Sequence, residues 1–383
     1  MLKKFLFCVS LTVLVGVSEL LIAGRHYGSS CDRIKKSSKA AKSKLSFDLE
    51  NIIPKAGVVP VLVLGAGPGG LSAGLYGAAQ YDTVIISGEQ PSLLTETSYV
   101  ENWLGAPHQL GADLIQNARK QAEGAGARIV EATVEKVDLS AWPFAVNLDD
   151  GTTMHALTLI IATGSRPILL GIPGEKKYWA NGVSACARCD ALFYKGKNVV
   201  VIGGGDVAIE EATELARFAK KVTIIHRRGQ LRAAGRMQTR LKSYPQINLM
   251  YDTTVKEILG DQKKVTGISI VHAGKQETMP IDGVFLAIGH KPNIELFKNI
   301  LETDDDGCLV LPGGNQQTSV PGVFAAGDVA NHYRQAIVAA GRGAEAAIDA
   351  IEFLESVGFT LDEAEKLKAA VAAQVQHEKQ NTR

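Results

Sequence analysis

Long apolar runs alternate with small-residue and amphipathic stretches through the middle of the chain. Residues 58–64 read VVPVLVL, an apolar run without polar interruption. That is the pattern of a parallel strand buried on both faces, since a half-solvated strand would alternate. Ser72, Ala73, Gly74, Gly77, Ala78 and Ala79 come next, small enough to let a helix lie close on a sheet. Val84-Ile85-Ile86 supplies the next strand. The same order recurs downstream. Residues 198–202 (NVVVI) predict a strand, 206–219 an amphipathic helix and 222–225 another strand. Strand–helix–strand units of this kind build α/β folds around parallel sheets.

The ends break this pattern. Residues 1–24 carry Lys3 and Lys4 and then an apolar run interrupted by Glu19. The run approaches the ~20 residues a bilayer crossing needs. No small-x-small cleavage site closes it, so a hydrophobic leader retained as an anchor is expected, with a cleaved signal peptide as the alternative. Residues 25–56 form a basic linker with Arg25, Arg33, Lys35, Lys36, Lys39, Lys42 and Lys44. The heavier basic flank favours the cytoplasmic side for the folded part of the chain. An upstream extension from a misplaced start is a third reading. A bipartite targeting leader, with the mature chain in an organelle lumen, is a fourth. Residues 357–383 are rich in helix formers and predict one exposed helical tail with a frayed end.

Composition narrows the class. The chain has 383 residues, 41 Lys+Arg against 40 Asp+Glu and a net charge of +1, which excludes nucleic-acid binding through bulk charge. A hydrophobic share of 46% gives ample material for cores. At about 150 residues per domain the length suggests two or three domains. Five cysteines in so long a chain exclude a secreted disulfide scaffold. Only Cys186 and Cys189 are close neighbours.

The chemistry sits where the strands end. Gly65, Gly67 and Gly70 give G-x-G-x-x-G between a strand and a helix, with Pro68 inside it. The first glycine permits the tight turn, the second lets a pyrophosphate approach the backbone, and the third lets helix meet strand. Glu89 stands about 20 residues beyond, where a carboxylate bonds a ribose diol. The second loop, Gly203-Gly204-Gly205-Asp206-Val207-Ala208, reads G-x-G-x-x-A. At the end of its next strand stand His226, Arg227 and Arg228, with Arg232 beyond. Three guanidiniums where an NAD site keeps an acid suit a 2′-phosphate, so NADPH is preferred. Two dinucleotide loops imply two dinucleotides, and FAD with NADPH is the economical pair. Cys186-Ala187-Arg188-Cys189-Asp190 precedes the second loop. Its spacing allows a small disulfide ring. Zinc is the structural alternative, but no second C-x-x-C or close His pair supplies the remaining ligands. Arg188 and a helix start would favour a thiolate, and Asp190 could exchange protons with a departing thiol.

These motifs resemble those of the low-molecular-weight thioredoxin reductases. The matching segments are GAGPGG (65–70), VENWLG (100–105), ATG (162–164), GVSACARCDALFY (182–194), VIGGGDVAIEEA (201–212), HRRGQLRA (226–233), AIGHKPN (287–293), SVPGVFAAGDV (319–329) and RQAIVAAG (334–341). They occur in family order over roughly residues 57–356. The resemblance implies a homodimer with two Rossmann-like nucleotide-binding domains per chain. The FAD domain would comprise 57–165 and 292–356, with the NADPH domain and its C-x-x-C, 166–291, inserted between. The crossings would fall near 163–167 and 289–292, both containing Gly and Pro as hinges do. Carried over by position, Ala162-Thr163-Gly164, Gly327 and Asp328 contact FAD. Asn102, Arg334, Gln335 and Ala336 lie by the flavin. Gly203, Gly205, Asp206, Ala208, His226, Arg227, Arg228 and Arg232 hold NADPH. Cys189 is the charge-transfer thiolate, Cys186 the attacking thiol and Asp190 the acid–base group. The sequence departs from the family at Pro91-Ser92-Leu93-Leu94, at Arg188, at Ala191 and in a shortened loop between Asp328 and Arg334.

The expected activity is NADPH-dependent reduction of thioredoxin or a similar small dithiol protein through FAD and a Cys186–Cys189 disulfide. A flavin dithiol oxidase is a related reading, against which the three arginines stand. A membrane-tethered redox scaffold without turnover would carry a damaged C-x-x-C or second loop, and both are intact.

Overall fold

The computed structural model describes Asp48, Ile52 and residues 57–381. The leader and nearly all of the basic linker, and with them the anchor reading, fall outside the described residues. Among the described residues no helix is long and apolar enough to cross a membrane.

Val58–Leu64 is a strand, as its apolar run requires, and every residue in it is buried. It lies between Thr83–Ser87 and Thr153–Ile161, parallel to both. These strands belong to a seven-stranded sheet that Arg128–Glu131 closes at one edge and Val134–Asp138 at the other. The nine-residue strand Thr153–Ile161 takes two further partners on one side. Its first residues pair antiparallel with Phe144–Leu148, and its last three pair parallel with Val323–Ala325. Strand alternation sorts the core. Val61 and Val63 face the helices Pro68–Ala78 and Ala336–Ser356. Leu62 and Leu64 face Phe144, Val146, Phe297 and Leu309, and Val59 packs with them out of strict alternation.

The second sheet has five parallel strands in the order Val183–Ser184, Gly283–Ala287, Asn198–Gly203, Lys221–Ile225, Ile247–Met250. Val199 and Val201 pack with Ala208, Ala212 and Leu215 of the helix Asp206–Leu215. Val200 and Ile202 pack on the opposite face with Val255, Ile258, Val265 and Ile268. Those residues come from a three-stranded antiparallel sheet, Thr253–Gly260, Val265–His272 and Lys275–Pro280. The parallel sheet is therefore sandwiched between a helical and a β layer.

The chain passes between the two sheets twice, and the passages pair with each other. Ser165–Pro167 runs antiparallel to His290–Pro292. Thr163 Oγ1 donates to the Asn293 carbonyl at 2.7 Å, and Asn293 Nδ2 returns a bond to the Thr163 carbonyl at 2.8 Å. Each passage carries a glycine and a proline, Gly164 and Pro167 in one and Gly289 and Pro292 in the other.

Two elements differ from their sequence reading. The helix expected over 206–219 ends at Leu215, where the Arg217 and Phe218 amides turn to the carbonyls three residues back, those of Glu214 and Leu215. The tail is helical from Leu361 to Asn381, but it is not wholly exposed. Phe359 and Leu367 are buried in the first core, and the Tyr81 hydroxyl donates to the Phe359 carbonyl. Their apolar side chains anchor a segment whose overall composition is polar.

Candidate functional site

A cavity of about 1500 Å³ opens at the carboxyl ends of the first sheet's parallel strands. Open α/β sheets place ligands at that edge, and the volume exceeds the ~300–1,000 Å³ of common small-molecule pockets. The first glycine loop forms one wall. Gly65 has φ +111° and an added Cβ would lie 2.4 Å from the Ala162 carbonyl oxygen, so no side chain fits the turn. The helix Pro68–Ala78 starts there with no side-chain cap, leaving backbone N–H groups for an anion. Gly70 packs beneath, against Gly65. Ser92, from the segment that departs from the family pattern, places its hydroxyl 3.5 Å from where a Gly67 Cβ would be. Arg166 holds that segment by its contacts to the Pro91 carbonyl and the Glu96 carboxylate.

Glu89, Ala162, Thr163, Gly164, Gly327, Asp328, Arg334, Gln335 and Ala336 line the same cavity. Burial pushes the Asp328 carboxyl up to about 6, with Arg334 pulling the other way. Arg334 has φ +49° and a buried Nε with no partner. The helix Ala336–Ser356 also starts here without a side-chain cap. An uncapped helix start, a glycine cradle and an orphaned guanidinium nitrogen around one large cavity fit a dinucleotide such as FAD.

Cys186, Cys189 and Asp190 stand on the opposite wall, contributed by the second sheet's half of the chain. The two cysteines are joined in a disulfide with Cα atoms 5.3 Å apart. Cys186 is the N-cap of the short helix Ala187–Asp190, and its sulfur accepts the Cys189 amide at 3.2 Å. Gln335 Nε2 lies 3.8 Å from Cys186 Sγ, and Asn102 Nδ2 donates to Gln335 Oε1 at 3.1 Å. Asn102 therefore reaches the site through Gln335 and does not itself line the cavity. Burial raises the Asp190 carboxyl from 3.8 to about 6, against a hydrogen bond from Ser184, and one of its oxygens is buried without a partner.

Glu211 was not among the residues expected here. Its carboxylate accepts the Ala187 amide, fixing the start of the cysteine helix. Burial is the main force that holds its pKa up to about 7. In the sequence it is the second of the pair Glu210-Glu211 on an amphipathic helix, with nothing to tell it from a solvated acid. His290, in the crossing segment, also lines the cavity and is held neutral, chiefly by burial and then by Arg334, with a pKa of about 4.

The second glycine loop lies apart. Helix Asp206–Leu215 turns Val207, Glu210, Glu211 and Glu214 toward the cavity, while Gly203, Gly205, Asp206 and Ala208 are not in its walls. The His226 ring covers Gly204, where an added Cβ would be 2.3 Å from it. The Gly204 carbonyl accepts the Arg232 amide at 2.7 Å, and Asp206 accepts the Ala234 amide at 2.7 Å. Arg227, Arg228 and Arg232 are exposed, and no acid pairs with them among the described residues. A compact glycine turn ringed by unpaired guanidiniums fits a phosphorylated dinucleotide.

The pyridine nucleotide-disulphide oxidoreductase family model matches residues 59–343. A thioredoxin reductase of Rickettsia bellii is 46% identical over 302 residues, covering 77% of this chain and 97% of that protein. One from Coxiella burnetii is 42% identical over 310 residues, covering 78% and 97%. Among solved structures, thioredoxin reductase from Giardia duodenalis matches with a TM-score of 0.73 at 41% identity, covering 78% of this chain and 99% of that one. That from Streptococcus pyogenes matches with a TM-score of 0.75 at 35% identity, covering 79% and 100%. A two-sheet α/β frame, a glycine-cradled cavity and a disulfide on its wall agree with these matches: the chain belongs to the pyridine nucleotide-disulphide oxidoreductases, in the low-molecular-weight thioredoxin reductase group.

Proposed function

We propose that this protein reduces the disulfide of a thioredoxin, or of a similar small dithiol protein, with electrons from NADPH. The observation that carries the reading is the Cys186–Cys189 disulfide on the wall of the cavity built by the first glycine loop. Bound FAD supplies a two-electron relay between nicotinamide and disulfide. The residues that would hold it are Gly65, Gly67, Pro68, Glu89, Ala162, Thr163, Gly164, Gly327 and Asp328, with Arg334, Gln335 and Ala336 at the flavin end. Gly203, Gly205, Asp206, Ala208, His226, Arg227, Arg228 and Arg232 would hold NADPH. The FAD part then comprises 57–165 and 292–356, and the inserted NADPH part 166–291.

Two electrons and a proton open the disulfide to one thiol and one thiolate. We assign Cys189 as the thiolate facing the flavin and Cys186 as the thiol that attacks the partner's disulfide by exchange. Asp190, with its pKa of about 6, can take and return the proton at neutral pH. Because the disulfide and not the second glycine loop faces the cavity, turnover needs the two parts to exchange positions. The paired crossings Ser165–Pro167 and His290–Pro292 are the hinge. A homodimer is the assembly proposed. The catalytic part belongs on whichever side of a membrane supplies NADPH, with residues 1–24 as the tether. A coupled assay of NADPH oxidation with candidate thioredoxins tests the reading, and no thioredoxin-dependent oxidation by flavin-loaded enzyme would reject it.

Asp190→Asn is expected to slow thioredoxin reduction at pH 7.5 by about 100-fold or more, the range for a lost general acid–base group. The sign for stability is opposite. Burial raises this carboxyl above its unfolded value, so the folded state holds the extra proton between 3.8 and about 6. The stability from the neutral form is present at low pH and is lost as pH rises through about 6. The amide cannot ionise, so the oxidised variant should melt at or above the wild-type temperature at pH 8. An unchanged rate would move proton transfer to another group.

Asp328→Ala is expected to weaken flavin binding by about 10- to 150-fold, the loss of one charged hydrogen bond of about 1.5–3 kcal/mol. The ratio of 450 nm to 280 nm absorbance after dialysis reads it. Retention equal to wild type would place Asp328 outside the flavin contacts.

A further inference from the structure

Among the described residues Cys308 is the free cysteine, and its residue is 1% exposed. It closes a tight loop built round Asp304. Asp304 Oδ1 accepts the amides of Asp306 at 3.0 Å and Cys308 at 2.9 Å. Its other oxygen, Oδ2, lies 3.1 Å from His332 Nε2. A hydrogen bond there needs the proton on Nε2, which leaves the Nδ1 lone pair free. Nδ1 faces Cys308 Sγ at 3.9 Å and Asp306 Oδ2 at 3.6 Å. In the neutral ring an imidazole lone pair thus meets a carboxylate oxygen beside a sulfur, an arrangement that a bound metal cation or a second ring proton relieves. The spacing suits a metal. Zn–S of about 2.3 Å and Zn–N of about 2.0–2.1 Å at a tetrahedral angle separate sulfur from nitrogen by ~3.6 Å. Ligand atoms of Asp304, Cys308 and His332 all lie within 4.8 Å of one another, and Asp306 joins this group through its approach to His332 Nδ1.

We propose that Cys308, His332 and Asp306 form a site for one borderline-soft divalent cation of the zinc class, with Asp304 orienting His332. A thiolate and an imidazole select zinc over magnesium or calcium, which take oxygen ligands. As the sulfur–metal bond forms, the thiol proton leaves to solvent. Water completes the four-coordinate shell. Asp304 plays the outer part, a carboxylate on the second nitrogen of a ligating histidine. The site shares a wall with the flavin cavity. His332 and Asp306 line the flavin cavity, and His332 lies two residues before Arg334. A bound cation would therefore tie the loop after Leu301 to the chain that enters Arg334, Gln335 and Ala336.

The test uses the full-length flavoprotein, kept oxidised so that Cys186 and Cys189 stay bonded to each other and cannot ligate. After chelator treatment it is titrated with Zn²⁺ alone and, separately, with Co²⁺ alone. One equivalent should bind per chain, and Co²⁺ should give a near-ultraviolet thiolate band in the difference spectrum. Cys308→Ala should lose the band. His332→Gln and Asp306→Asn should each weaken Zn²⁺ binding by at least about tenfold, and Asp304→Asn by about 10- to 100-fold. If Cys308→Ala does not fold, His332→Gln carries the test, because the His332 side chain is 54% exposed. Zn²⁺ affinity unchanged in His332→Gln, or no thiolate band with Co²⁺, would overturn the site and leave an imidazolium–carboxylate ion pair.

Discussion

Cys186→Ser and Cys189→Ser are each expected to abolish NADPH-driven reduction of thioredoxin while leaving NADPH-dependent bleaching of the flavin band intact. A serine hydroxyl cannot form the ring disulfide or take part in exchange, so electrons reach the flavin and stop. The fold should survive either change. The short helix Ala187–Asp190 is fixed by the Glu211 carboxylate on the Ala187 amide and by the Cys186 carbonyl, which accepts the Asp190 amide at 3.2 Å. None of these bonds needs the sulfur–sulfur link. Anaerobic stopped-flow at 450 nm measures the first half, and the coupled assay measures the second. The two variants should also differ from each other. Cys189→Ser should lose the long-wavelength thiolate–flavin absorbance, and Cys186→Ser should keep it. If either variant turned over thioredoxin near the wild-type rate, the reducing pair would lie elsewhere. Reversal of the absorbance pattern would exchange the roles of the two cysteines, a real alternative because Gln335 touches Cys186 on the cavity side.

Strands buried on both faces were the most legible part of the fold. Residues 58–64 and 199–202 carry continuous apolar runs, and both became central parallel strands. The glycine spacings were equally plain, because a turn such as Gly65 excludes every side chain. What the sequence did not display is what depends on one sheet meeting the other. Glu211 reads as one of several acids on a solvated helix face. Its role appears only when Ala187, 24 residues earlier, is brought against it. Asn102 and Gln335 are 233 residues apart and touch only once the cavity closes. The antiparallel layer over 253–280 gave no clear signal either. Its middle strand alternates weakly, and its outer strand Lys275–Pro280 opens with four polar residues, all of them exposed. The tail misled for a related reason. Two buried apolar residues, Phe359 and Leu367, outweigh a polar average.

The arginine cluster makes the other large prediction. Arg227→Ala with Arg228→Ala is expected to weaken NADPH binding by about 2–5 kcal/mol, counting roughly 1.5–3 for each charge-assisted bond and less than the full sum for two neighbours. That is about 30-fold to several thousand-fold in affinity. NADH binding should change little, because NADH has no 2′-phosphate to lose. The loop itself should hold in the variant. Its shape comes from the His226 ring on Gly204 and from the Arg232 amide on the Gly204 carbonyl, and neither contact uses the exposed guanidiniums of 227 and 228. Burial first, and then Arg232 and Arg228, lower the His226 pKa from 6.5. Loss of Arg228 removes part of that effect, so the titrations are run well above pH 7, where His226 is neutral with or without it. Titration of the oxidised enzyme with NADP⁺ and NAD⁺ in parallel, at two ionic strengths, makes the comparison. Loss confined to the phosphorylated cofactor, and reduced by salt, supports a direct phosphate contact. Equal losses for both cofactors would mean that these residues shape the loop, and that the 2′-phosphate is read elsewhere.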